Sequence, residues 1–167
     1  MLLEKFDTPS ELFTYKLGSA LTMERDVLEM LGKLEKEAHS DELKQQFRHH
    51  AEETRQQIAN VEHAFAALGE EPDGKPCPVI EAIDKEGRAH IKRSDESLVD
   101  SVILAGAAAT EHHEIAVYEW LICEAEAMGK QSVVVLFEQN LEQEQHTLQE
   151  VKEAMRRITE ETAQRVM

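Results

Sequence analysis

The sequence predicts an all-α fold: a four-helix bundle with one long crossover that carries a short extra helix. Three observations predict it. Helix breakers are scarce, with 7 Gly and 4 Pro in 167 residues, about half the average share. Four long stretches repeat apolar residues at the helical period, and only Val133 to Leu136 reads with strand period, which the helical pattern on both sides overrides. Three of the four prolines (Pro72, Pro76, Pro78) crowd into one segment, which makes the middle connection a long one.

Each element has a start or a stop of its own. Thr8-Pro9-Ser10-Glu11 sets a capping hydroxyl, a proline at the first helical position and an acid behind it, so the first helix spans about 9–38. Ser40-Asp41 caps a second helix over 41–68, stopped by Gly69. The crossover covers 69–94, with a loop from Gly69 to Pro78 and a short helix over 79–92. Ser94-Asp95 opens a third long helix over 95–128, with Gly129 as its stop. The fourth spans 132–158 and its charged tail frays. Together 1–167 make one domain. Helices of 25 residues or more reach about 40 Å. Short loops join the first pair and the last pair as antiparallel neighbours, and the long crossover can return along the whole bundle. One long crossover is the ferritin-like arrangement.

Composition excludes several functions. The chain has 34 acidic and 18 basic side chains and a net charge of -16. Phosphate backbones require clustered Lys and Arg, so nucleic acid is excluded as a partner, and anionic lipid equally. The longest apolar stretch, Val102 to Ala109, is far too short to span a bilayer. Acids occupy the start where a secretory apolar region would run. Cys77 and Cys123 form no metal-type or redox-type pair and read as free thiols of a reducing cytoplasm.

The informative acids lie on the apolar stripes. Advancing each residue by about 100° sets Glu24 among Phe13, Leu17, Leu21, Leu28 and Leu31. On the third long helix, Glu111 and Glu114 fall one turn apart in a stripe of Leu104, Ala107, Ala108, Ile115, Tyr118 and Ile122. Val133, Phe137, Leu141, Leu148, Val151 and Met155 surround Glu144. The second helix places His50 inside the stripe of Phe47, Thr54, Val61, Phe65 and Leu68, with Glu53 on its flank. An unpaired carboxylate in a core costs several kcal/mol. The stripes hold no Lys or Arg, so metal is the economical counter-charge. Carboxylates with imidazole suit iron or manganese.

These residues carry a resemblance. The chain resembles, over nearly its whole length, the ferritin-like family of bacterial stress proteins named after YciE and YciF. The matching positions are Glu24, His50-Ala51-Glu52-Glu53-Thr54 with Gln57, Leu68-Gly69-Glu70-Glu71-Pro72 with Gly74 and Cys77, Glu111 through Tyr118, and Leu141 with Glu144. The resemblance implies a homodimer, two metal ions per chain (iron, or else manganese) and a link to stress responses. It implies Glu24, His50, Glu53, Glu111, Glu114 and Glu144 as metal ligands. The Glu-x-x-Glu turn is similar to that of rubrerythrin. Better-known di-iron proteins carry His three residues after the second-helix and fourth-helix glutamates. Gln56 and Thr147 stand there instead, so His50 is the sole nitrogen candidate, with Gln57 as a weak ligand or supporting partner.

Glu111, Glu114 and Tyr118 are the candidates for catalysis. Tyr118 equally reads as a core aromatic whose hydroxyl found a carboxylate. His49, His112, His113 and His146 read as surface side chains. Two functions follow. The first is a di-metal protein that oxidises Fe(II) with oxygen or peroxide, or removes peroxide. The alternative is a non-enzymatic stress-related dimer or interaction module with a structural or vestigial metal site.

Overall fold

Thr8 starts the first helix as expected from the sequence. Its hydroxyl accepts from the Glu11 N–H at 3.2 Å while the Glu11 carboxylate accepts from the Thr8 N–H at 3.1 Å, a reciprocal cap. The chain is described over residues 5–166 by a computed structural model. Helix α1 spans Pro9–Glu37, α2 Asp41–Ala67, α3 Pro78–Arg93, α4 Val99–Ala127 and α5 Gln131–Val166. Ser40 caps α2 through the Leu43 N–H. Gly69 and Gly129 follow α2 and α4 at φ +72° and +67°, the left-handed turn that glycine adopts without a Cβ penalty.

Two boundaries differ from the sequence reading. Asp95 does not open the third long helix. Its carboxylate takes both the N–H and the hydroxyl of Ser97 (3.0 and 2.7 Å), which tightens Glu96–Leu98 into a 3-10 turn, and α4 begins at Val99. The last helix does not fray after Ile158 but continues to Val166. Arg157 ties that tail down, 2.7 Å from Glu42 on α2 and 3.6 Å from Glu161 one turn on.

The topology follows from one contact. The Asp100 carboxylate, at the start of α4, accepts from the N–H groups of His39 (2.8 Å) and Ser40 (2.9 Å) in the α1–α2 turn. Helix α2 leaves that turn and ends at the far end of the bundle. The crossover therefore returns along its whole length, with α3 packed outside against α4 and α1, and α2 and α4 run parallel. Helices α1 and α2 form one antiparallel hairpin, α4 and α5 the other. The fold is the ferritin-like four-helix bundle with one long crossover. Phe13, Leu17, Leu21, Leu104 and Phe137 are excluded from solvent in its core. The Phe137 ring sits 6.3 Å from the rings of both Phe13 and Tyr118. No helix among the described residues is long and apolar enough to cross a membrane.

Candidate metal centre

The apolar stripes carry polar residues into the core at mid-bundle. Glu24 (α1), His50 (α2), Glu111 and Glu114 (α4) and Glu144 (α5) are all buried. His50, Glu111, Glu114 and Glu144 each offer a ligating atom within 4.8 Å of the others. His50 Nε2 lies 3.1 Å from Glu111 Oε1 and 3.8 Å from Glu144 Oε2, within ion-pair distance but without hydrogen-bond alignment. No Lys or Arg is buried beside them among the described residues.

Six buried carboxylate oxygens have no hydrogen-bond partner: Glu24 Oε2, Glu111 Oε2, and both oxygens of Glu114 and Glu144. Buried polar atoms are almost always paired, and an unpaired charge is dearer still. Protons answer part of the cost. Burial raises the Glu24 carboxyl to about 8, against the lowering pull of Tyr118 and His50. Burial, then neighbouring acids, raises Glu114 and Glu144 well above the carboxylate range. Burial lowers His50, but the charge of Glu111 and contacts with Glu111, Glu53 and Glu24 outweigh it and raise the imidazole to about 10. One imidazole against four acids leaves an excess of acceptor oxygens. That is a donor set which a divalent cation satisfies.

The remaining predicted residues stand apart from the four. Tyr118 is fully buried and its hydroxyl donates to Glu24 Oε1. Glu24 therefore keeps only Oε2 facing the interior without a partner. Glu53 is not in the group. Its partly exposed carboxylate sits between His49 Nε2 (3.5 Å) and His50 Nδ1 (3.6 Å), and contact with His50 lowers its pKa. Gln57 is excluded from solvent with both amide atoms unpaired. Gln56 is exposed and donates to Asn60. His113 is no free surface side chain: it is half-buried, with Nε2 3.9 Å from the buried Cys77 thiol. Both cysteines are free, Cys123 at the surface.

Three further buried polar residues are not singled out by the sequence, and Thr147 figures there only as the place of an absent histidine. Asn60, Thr110, Asn140 and Thr147 all face the core. Asn140 lies one turn before Glu144, and Thr147 nearly one turn after, so the acid's own stripe was the available signal. On α4 the core side runs through Leu121 and Ala125, while Ile115 and Ile122 are half-buried. That helix is apolar on almost every side, which blurs the bearing of its stripe.

Access is narrow. A cavity of about 20 Å³ touches His50, Glu111 and Thr147, room for one water-sized molecule. Met30, Leu34 and Ala107 wall it and also line a larger apolar pocket of about 240 Å³ between α1, α3 and α4.

Fold and cluster define a helical-bundle protein with a buried His/Glu group able to hold metal. The chain belongs to the family described as Domain of unknown function (DUF892), which matches residues 8–164. The protein YciF of Escherichia coli strain K12 is 28% identical over 142 residues, 84% of this chain and 86% of YciF. Among solved structures, YcfI from Rhodopseudomonas palustris is 30% identical at a TM-score of 0.87, covering 91% of this chain and 98% of that one. The E. coli stress protein YciF matches at 0.88 with 24% identity, covering 93% and 99%, a likeness of fold. The resemblance read from the residues is thus confirmed at the level of the family.

Proposed function

We propose that the protein is a ferritin-like di-metal carboxylate protein that binds two ions per chain, iron foremost or manganese, and oxidises Fe(II) or removes peroxide in a stress response. The observation that carries this reading is the set of six unpaired carboxylate oxygens around a single imidazole. Glu111, Glu114, Glu144 and His50 would hold one ion. Glu24, through Oε2, would help to hold the second. Bound metal would supply electrons to dioxygen or peroxide and stabilise charge on the oxygen atoms. The chain's own part is to exclude bulk water, orient His50 and keep a proton on Tyr118 beside Glu24. The small cavity over His50 and Glu111 would give a small oxidant a place beside the cluster. A homodimer in a reducing cytoplasm belongs to the same proposal.

A second reading, a structural or vestigial site in a stress-related module, is favoured by one observation: Gln56 and Thr147 stand where better-known di-iron proteins carry histidines, and Gln56 is exposed and bonded to Asn60 rather than to the buried acids. Glu111→Ala and Glu144→Ala separate the two. A working centre predicts lost metal and lost peroxide consumption or Fe(II) oxidation in both. A relic predicts unchanged or higher thermal stability without metal and no change in turnover.

A further inference from the structure

One main-chain carbonyl fixes the direction of a hydrogen-bond chain that ends on Glu24. The carbonyl of Gln57 lies 3.3 Å from Asn140 Nδ2. A carbonyl only accepts, so the Asn140 atom facing it must be the amide nitrogen. That same nitrogen is 3.0 Å from the Tyr118 hydroxyl oxygen, and its second hydrogen is donated there. The Tyr118 proton is then left for Glu24 Oε1. Asn140 Oδ1 must accept, and it does so from Asn60 Nδ2 at 2.8 Å. Asn60 spends its other hydrogen on exposed Gln139 (3.0 Å) and accepts from exposed Gln56 (3.1 Å). Four links therefore run one way: Gln56 to Asn60 to Asn140 to Tyr118 to Glu24. Bonds aligned in one sense polarise and strengthen one another.

We propose that Asn140 and Asn60 are positioning residues that make Tyr118 a one-way donor to Glu24, so that Glu24 offers a metal ion one oxygen only. With Oε1 held by the phenol, Oε2 is the oxygen left without a partner. Glu24 then binds as a terminal, single-oxygen ligand. This rests on the metal-binding reading above, whereas the direction of the chain rests on geometry alone.

Two measurements test it. The protein has only two tyrosines, so Tyr15→Phe leaves Tyr118 as the sole tyrosine signal. Ultraviolet resonance Raman of the metal-free protein reads the phenol's hydrogen bonding. In the Tyr15→Phe background the Tyr118 doublet reports a hydroxyl that both donates and accepts. Asn140→Asp removes the donor to it and shifts the doublet to a donor-only pattern. An unchanged doublet in folded protein overturns the chain's direction. Anaerobic Co(II) titration then reads coordination. Tyr118→Phe, nearly isosteric, frees Glu24 to bind through both oxygens, and visible cobalt absorption per ion falls as coordination number rises. An unchanged spectrum overturns the single-oxygen role. A Raman shift with no cobalt uptake by the parent protein sinks the metal reading and the ligand role with it, while sustaining the chain's direction.

Discussion

Thr147 Oγ1 stands 3.4 Å from His50 Nδ1, while the other ring nitrogen of His50 faces Glu111 and Glu144. A threonine from α5 thus supports the sole buried imidazole, from α2. Fixing Nδ1 would leave Nε2 as the nitrogen for a metal ion in the proposed site, and losing such a partner typically costs about 10–100-fold in affinity. Thr147→Val keeps the shape and removes the hydroxyl. It is expected to weaken binding of the first ion by about 10-fold in anaerobic calorimetric titration, with Thr147→Ser restoring it.

The metal-free protein is expected to lose stability as pH rises. Glu24 is raised to about 8 by burial, so between its ordinary value of 4.5 and 8 the folded state holds a proton that the unfolded state has released. Stability falls with pH wherever the native state binds more protons. His50, raised to about 10, extends the loss: its contribution is complete below 6.5 and is gone once pH passes 10. The Tm of metal-free protein is therefore expected to drop by several degrees from pH 5 to pH 9. Glu24→Gln flattens the part below 8. Saturating metal reverses the trend, because bound ligands are deprotonated and affinity rises with pH.

Ala107 lies between the buried cluster and the larger apolar pocket. Its methyl helps wall both the small cavity and the larger apolar pocket. Ala107→Leu fills that wall against His50 and Glu111 without replacing either. Metal content is expected to stay at the parent level while the oxidation rate of bound Fe(II), followed by stopped-flow absorbance, slows by about 10-fold, roughly 1.4 kcal/mol on the barrier.

Asp100 pins the crossover. Its two oxygens accept from two main-chain N–H groups of the α1–α2 turn, and hydrogen bonds to a charged group contribute about 1.5–3 kcal/mol in total stability. Asp100→Ala is expected to lower unfolding free energy by about 2 kcal/mol in urea titration. Asp100→Asn keeps one acceptor oxygen but turns an amide NH2 toward the other main-chain N–H, and is expected to recover only part of the loss.

Much of this was legible in the sequence, because it depends on angle around a helix. Glu24, Glu111, Glu114 and Glu144 declare themselves by lying where leucines should, and Thr8 and Ser40 by standing one step before a helical stripe. The crossover was legible from three crowded prolines. What periodicity could not give is contact between helices. Asn60 and Asn140 are 80 residues apart and neither is unusual alone. Their meaning lies in facing each other across α2 and α5. Glu53 was legible only as a flank position, and a few degrees of helix rotation set its carboxylate between His49 and His50 rather than within the group of four. Asp95 was misread because an Asp that satisfies a nearby N–H and hydroxyl closes a tight turn as readily as it caps a helix.

The central claim is that the buried acids exist to hold metal. The most direct measurement is elemental analysis of desalted protein grown with iron and manganese, followed by anaerobic Fe(II) titration. Two ions per chain are expected, falling sharply in Glu111→Ala. Less than about 0.1 ion per chain, with no uptake of Fe(II) under conditions where ligands are deprotonated, would contradict it.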